Sequence, residues 1–197
     1  MFKKRWKTVT ARAVLTSLTW TGAMCLAGLC DAQAPAKSPT PAKAKPAASA
    51  KGPEVYANLA QLMRGIIYPA SNVIFAAQDT NPDDVKPAKD PALSTDPLSS
   101  AYGKWVAVEN AGLALSEAAN LLTIAGRKCS NGLPVPMNNP DWSKFVQGLR
   151  EAGAAAYKAA QSKNQDNILM AADVMTTACA NCHDKWREKP NLADRCK

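Results

Sequence analysis

Cys179, Cys182 and His183 stand in the run Cys-Ala-Asn-Cys-His, inside a segment whose apolar residues recur at helical spacing. At about 100° per residue, Cys182 lies roughly 60° around a helix axis from Cys179, and His183 roughly 40°. Three side chains therefore leave one helix face within a single turn. Two thiols so placed can add across the two vinyl groups of a haem, and an imidazole beside them can bind the iron. This is the chemistry of covalent c-type haem attachment, and it predicts one haem held by Cys179, Cys182 and His183.

Two other readings of the motif are weaker. A redox dithiol is expected at a strand-to-helix junction, whereas this motif sits late in the last helical segment of a chain without strand patterning. A structural zinc site needs four ligands, and His183 is the only histidine in the sequence. The absence of a second histidine also excludes bis-histidine ligation. Met1 and Met24 lie in the leading segment, and Met170 and Met175 share the helix of His183. Met63 and Met137 are left as methionines able to reach the opposite haem face. A thioether there raises the reduction potential and favours electron transfer. An apolar distal side leaves the iron open to small gases.

Two further cysteines, Cys129 and Cys196, follow the second and fourth helical segments. In an up-down bundle both fall at the same end, which predicts a disulfide between them in an oxidising compartment. Closing so long a loop is worth roughly 4 kcal/mol in chain entropy.

The elements that position these residues follow from periodicity. One segment runs from Glu54 to about Gln78, with Val55, Leu59, Leu62, Met63 and Ile66 on one stripe. Pro69 lacks an N–H and predicts a kink or break near Tyr68. The turn-rich stretch 79–97 holds four prolines and is expected either to pack on the surface or to carry function. A second helix is expected from about Leu98 to Ala125, with Trp105, Val108, Gly112, Leu115, Ala119 and Leu122 as its buried seam. Asn139 before Pro140 reads as an N-cap with proline at the first helical position. The third helix then carries Trp142, Phe145, Leu149, Ala152 and Ala156 to near Ser162. The fourth runs from about Gln165 to Lys189 and is stopped by Pro190. The fold class is all-α, and short connections suggest an up-down-up-down four-helix bundle.

Charge divides the chain. The formal net charge is +8. Residues 1–32 carry Lys3, Lys4, Arg5, Lys7 and Arg12 against Asp31, and residues 33–53 carry Lys37, Lys43, Lys45 and Lys51 without an acid. These account for the whole excess and leave 54–197 neutral. A neutral domain has no electrostatic footprint for phosphate backbones, which argues against nucleic-acid binding. Residues 1–32 read as an export signal, with a basic start, an apolar stretch from about Val14 to Leu29, and small residues before Gln33. Cys25 and Cys30 follow the bulky residues Met24 and Leu29, which disfavours lipoprotein processing; both are expected to leave with the signal. The apolar stretch is short and interrupted for a membrane span. Residues 33–53, mostly Ala, Pro, Lys and Ser, cannot bury enough apolar surface to order themselves and read as a tether.

The run CHDKWR near the C-terminus of an exported all-α domain, with Leu62-Met63-Arg64 in the first helix, resembles class II c-type cytochromes, the cytochrome c′ family and its low-spin relatives. The resemblance implies a four-helix bundle over 54–197 with one covalent haem. By the same resemblance, a first-helix methionine followed by a basic residue is the sixth iron ligand, here Met63, and pairing into dimers is common. Trp186 stands where the family usually has Tyr or Phe; Pro69, the long loop 79–97 and the expected Cys129–Cys196 bridge are further departures. The function this implies is that of a periplasmic one-electron carrier serving redox partner proteins, with His183 proximal and Met63 distal. Arg64 is a candidate partner for a haem propionate. The alternative is a five-coordinate haem protein binding nitric oxide or carbon monoxide. A peroxidase needs a distal acid–base group, and the single histidine is already committed, so the chain is not expected to be an enzyme.

Overall fold

The computed structural model describes residues 52–197. The expected export signal, nearly all of the tether, and Cys25 and Cys30 lie outside the described residues.

Asn58 starts the first helix. Its side chain accepts from the Gln61 N–H at 2.9 Å while the Gln61 side chain accepts from the Asn58 N–H at 2.9 Å, a reciprocal cap. The helix therefore begins at Leu59, and residues 54–58 that the apolar stripe had included lead into it. It runs as α1 (Leu59–Leu62), a π-helical turn (Met63–Ile67) and α2 (Tyr68–Asp79). Pro69 does not break it. Proline cannot donate to the carbonyl four residues back, and its ring crowds that carbonyl. The π turn just before it widens the coil, with the Tyr68 N–H donating to the Met63 carbonyl five residues back. The extra residue rotates the buried face. Ile67 is buried at 5% exposure, whereas Ile66, expected inside, is 40% exposed.

Residues 80–103 pack as a chain of 3-10 turns. Pro82–Asp84, Pro91–Leu93 and Pro97–Ser99 each begin with proline behind an Asn or Asp whose side chain accepts the N–H two residues on. Pro82 and Leu98 are buried, and Lys104 Nζ donates to the Asp83 carbonyl at 3.0 Å. The second long helix consequently starts at Lys104 rather than Leu98. This helix, α3 (Lys104–Leu121), buries Trp105, Val108, Gly112, Leu115 and Ala119, and its C-cap Leu122 is buried as well, which is the expected seam. The cap at Asn139 is also as expected, its side chain accepting from the Asp141 N–H at 3.0 Å at the head of α4 (Pro140–Gln161). The last helix is α5 (Gln165–Cys182), continued by a second π turn (His183–Arg187).

The helices close a ring: α3 packs on α2 and α4, and α5 on α4 and α2. Their directions follow from cross-contacts. The Trp142 indole N–H at the head of α4 donates to the Leu122 carbonyl at the foot of α3, 3.2 Å away. The Gln165 amide at the head of α5 donates to the Ala77 and Gln78 carbonyls at the foot of α2, at 2.7 and 2.8 Å. Neighbours are therefore antiparallel, as in an up-down bundle. No strand forms among the described residues beyond the single bridge between Lys128 and Pro134. None of the described helices is long and apolar enough to cross a membrane.

At mid-height α3 and α4 touch backbone to backbone. A Cβ on Gly112 would meet the Tyr157 amide N at 2.6 Å, and one on Gly153 the Ser116 amide N at 2.7 Å. At the foot of α3, buried Arg127 donates to the Leu121 and Ala57 carbonyls, and the Leu59 N–H donates to the Lys128 carbonyl at 2.8 Å. These bonds fix the start of the first helix over that end. Cys129 and Cys196 are joined there in a disulfide, 67 positions apart with a Cα–Cα distance of 6.6 Å, a separation suited to a bridge.

Candidate functional site

The end of the bundle that carries the disulfide also holds a cavity of about 520 Å³. Its size lies within the roughly 300–1,000 Å³ of small-molecule and cofactor sites. Both π turns open onto it. Met63, Arg64 and Ile67 from the first, and His183, Trp186 and Arg187 from the second, are lining residues. Such turns in helices are frequent at functional sites, because the extra residue re-aims the side chains around it. Trp142, Phe145 and Leu149 of α4 supply an apolar wall, and Arg195 of the C-terminal tail is a further lining residue. Four cysteines, 129, 179, 182 and 196, line the same space.

The motif straddles the change from α to π geometry. Cys179 and Cys182 end α5, and His183 begins the π turn. Both thiols are free and half-buried. Burial raises the Cys179 pKa. Burial and the neighbouring Cys179 push Cys182 up to about 11. Both sulfurs therefore hold their protons at neutral pH. For His183, burial is the largest influence and lowers the pKa; nearby Arg187 lowers it further, opposed by Glu188 and Asp184. A neutral imidazole is the form that binds metals. Arg187 Nη1 lies 3.0 Å from His183 Nδ1. Arginine has only donors, so Nδ1 accepts and Nε2 carries the ring proton in this pair. Lys185 bonds Asp141 across to the head of α4, which ties the second π turn to the wall behind it.

Met63 lines the cavity; Met137 packs against the core outside it. Met175 is fully buried inside the bundle and Met170 is 62% exposed. Trp186 is buried, edge-on to Trp142 and Phe145. Arg64 sits exposed beside the mouth.

Two buried donors remain without acceptors here. The Nε1 of Trp186 and the Nε of Arg195 have no hydrogen-bond partner, and both residues line the cavity. Leaving a buried donor unpaired costs about 1–3 kcal/mol, so a ligand acceptor that these side chains turn to meet would offset that cost. Paired thiols, a neutral imidazole, an apolar wall and donors wanting acceptors are together the residue chemistry that suits a haem, with its vinyl groups, iron, porphyrin faces and two carboxylates. Among the described residues no group of three or more His, Cys, Asp or Glu is placed to hold a bare metal ion.

Sequence reasoning missed Arg195 and the cavity-facing role of Trp142 and Phe145. The aromatic pair read simply as core. Arg195 has no periodic context, and its only signal was its position next to a cysteine expected to be bridged. No protein-family model, curated protein or solved structure matches the chain.

Proposed function

We propose that this protein is an exported monohaem c-type cytochrome that carries single electrons between redox partners in the periplasm. One observation carries the reading: Cys179, Cys182 and His183 leave consecutive turns of one helix end into a cavity that Met63 enters from another helix. Bound there, a haem supplies a one-electron iron couple.

The chain's own residues do the rest. Cys179 and Cys182 would hold the haem as thioethers, each S–H added across a vinyl double bond, which needs no oxidant. His183 would be the proximal ligand through Nε2; its lowered pKa keeps the ring neutral, and the ring proton would then sit on Nδ1, giving up the Arg187 contact. Met63, from the first π turn, would be the distal ligand, and a thioether there favours a high potential and electron transfer. Trp142, Phe145 and Leu149 keep water from one side.

The purified mature protein should keep its colour through acid-acetone extraction, and its mass should exceed the bare chain by one haem. The oxidised spectrum should show a methionine–iron charge-transfer band near the red edge, lost in Met63→Ala. A polypeptide without bound porphyrin would end the cytochrome reading. A ferrous form that takes up carbon monoxide at once would replace the carrier with a gas-binding protein.

A further inference from the structure

Three arginines line the cavity among the described residues, and they are differently engaged. Arg187 is paired with His183 and lies 3.3 Å from Glu188. Arg64 is exposed, where solvent screens its charge. Arg195 is half-buried, with its Nε shut away from any acceptor.

The backbone around Arg195 is held from several sides. Asn131 Nδ2 donates to the Arg195 carbonyl at 3.0 Å and to the Leu192 carbonyl at 3.1 Å. The next residue, Cys196, is bonded to Cys129, and its N–H donates to the Trp186 carbonyl at 3.0 Å. Cys196 is also held at φ +66°, a left-handed conformation that a cysteine adopts only when its surroundings impose it. The C-terminal tail is thus a strap, fastened on both sides of an arginine whose Nε has no protein acceptor. The second orphaned donor, Trp186 Nε1, belongs to the residue whose carbonyl holds the strap.

We propose that Arg195, set by the Cys129–Cys196 strap, is the binding residue for one carboxylate of the haem, with Trp186 donating beside it. This rests on the cytochrome reading and assigns to the tail a role beyond stabilising the fold. A guanidinium there offsets the negative charge of a haem propionate. Removing it leaves that charge uncompensated, which favours the oxidised iron and lowers the midpoint potential.

The test uses the mature protein with its covalent haem quantified. At fixed pH and ionic strength, Arg195→Gln should lower the reduction equilibrium constant several-fold and shift the infrared bands of the haem carboxylates. Arg195→Lys should recover most of both. Asn131→Ala should move the potential in the same direction by less. The double variant Cys129→Ser/Cys196→Ser should add little to Arg195→Gln, because both act through one contact. Full haem content with wild-type potential and carboxylate bands in Arg195→Gln would overturn this assignment alone. A wild-type protein without covalent haem would overturn it together with the proposed function.

Discussion

Trp186 meets Trp142 edge-on, with ring centroids 5.2 Å apart and 61° between the planes, and only one of the two indoles has a hydrogen-bond partner. Trp142 donates to the Leu122 carbonyl; the Trp186 N–H is buried and unmet. Trp142→Phe removes a made bond, worth about 1 kcal/mol, whereas Trp186→Phe removes a donor that has none. In haem-free protein, urea unfolding should show Trp142→Phe as the costlier change by at least that amount, since Trp186→Phe also relieves an unpaired buried donor. On the proposed function, the gap should narrow in haem-loaded protein, as Trp186 gains an acceptor. Equal costs in the haem-free form would contradict the assignment of the two indoles.

Gly112 and Gly148 both face substitution by alanine, with opposite outcomes. At Gly112 the new methyl would strike the backbone of Tyr157 and Gly153, at 2.6 and 2.9 Å, which neither helix can yield cheaply. Such overpacking costs about 1–3 kcal/mol. Gly148 lies within α4 with nothing in reach of a Cβ. Alanine there removes the entropy penalty of a helical glycine and gains about 0.5–1 kcal/mol. Unfolding midpoints should move in opposite directions; a shared sign would mean that the α3–α4 contact is looser than described.

Asp141 gives a pH dependence. The hydrogen bond from Lys185 is the largest influence and holds its carboxyl below the usual value; burial, the next largest, opposes it, and the charges of Lys185 and then Lys144 add to the lowering. The folded pKa is below the unfolded one, so the stabilisation is complete above about pH 4 and is lost as pH falls through the lowered folded value. Asp141→Asn should therefore melt below wild type at pH 7, and the gap should close on acidification below about pH 4. A gap that persists at pH 2 would mean the carboxylate is not what ties the second π turn to α4.

Periodicity located the four helical stretches, because their buried residues repeat at three and four, and the α3 seam was readable residue by residue. Asn139-Pro140 was legible because a cap and a proline specify a helix start locally. The two π turns were not. Such a turn inserts one residue, and where Ile66 and Ile67 are neighbours either can complete an apolar stripe; only the missing N–H of Pro69 hinted at a fault in the coil. The Asn- and Asp-Pro pairs at 81–82, 90–91 and 96–97 carry the same start signal as Asn139-Pro140. They begin single 3-10 turns rather than helices; even after Asp96-Pro97, which the expected second helix followed, the turn stops at Ser99 and the helix starts afresh behind Gly103. In the candidate site, Cys179, Cys182 and His183 were legible from spacing, whereas Arg195 is recruited only through a bridge between distant parts of the chain.

The four sulfurs around one cavity pose a sorting problem during maturation. Four neighbouring thiols can be joined as two pairs in three ways, and on the proposed function one thiol consumed in a wrong link removes an attachment point for the porphyrin. Closing Cys129 to Cys196 first takes two competitors out of reach and leaves the helical pair reduced. The sequence of oxidation and ligation would then govern the yield of coloured product, and strains with altered thiol-oxidase activity would accumulate a colourless, cross-bridged form of this chain.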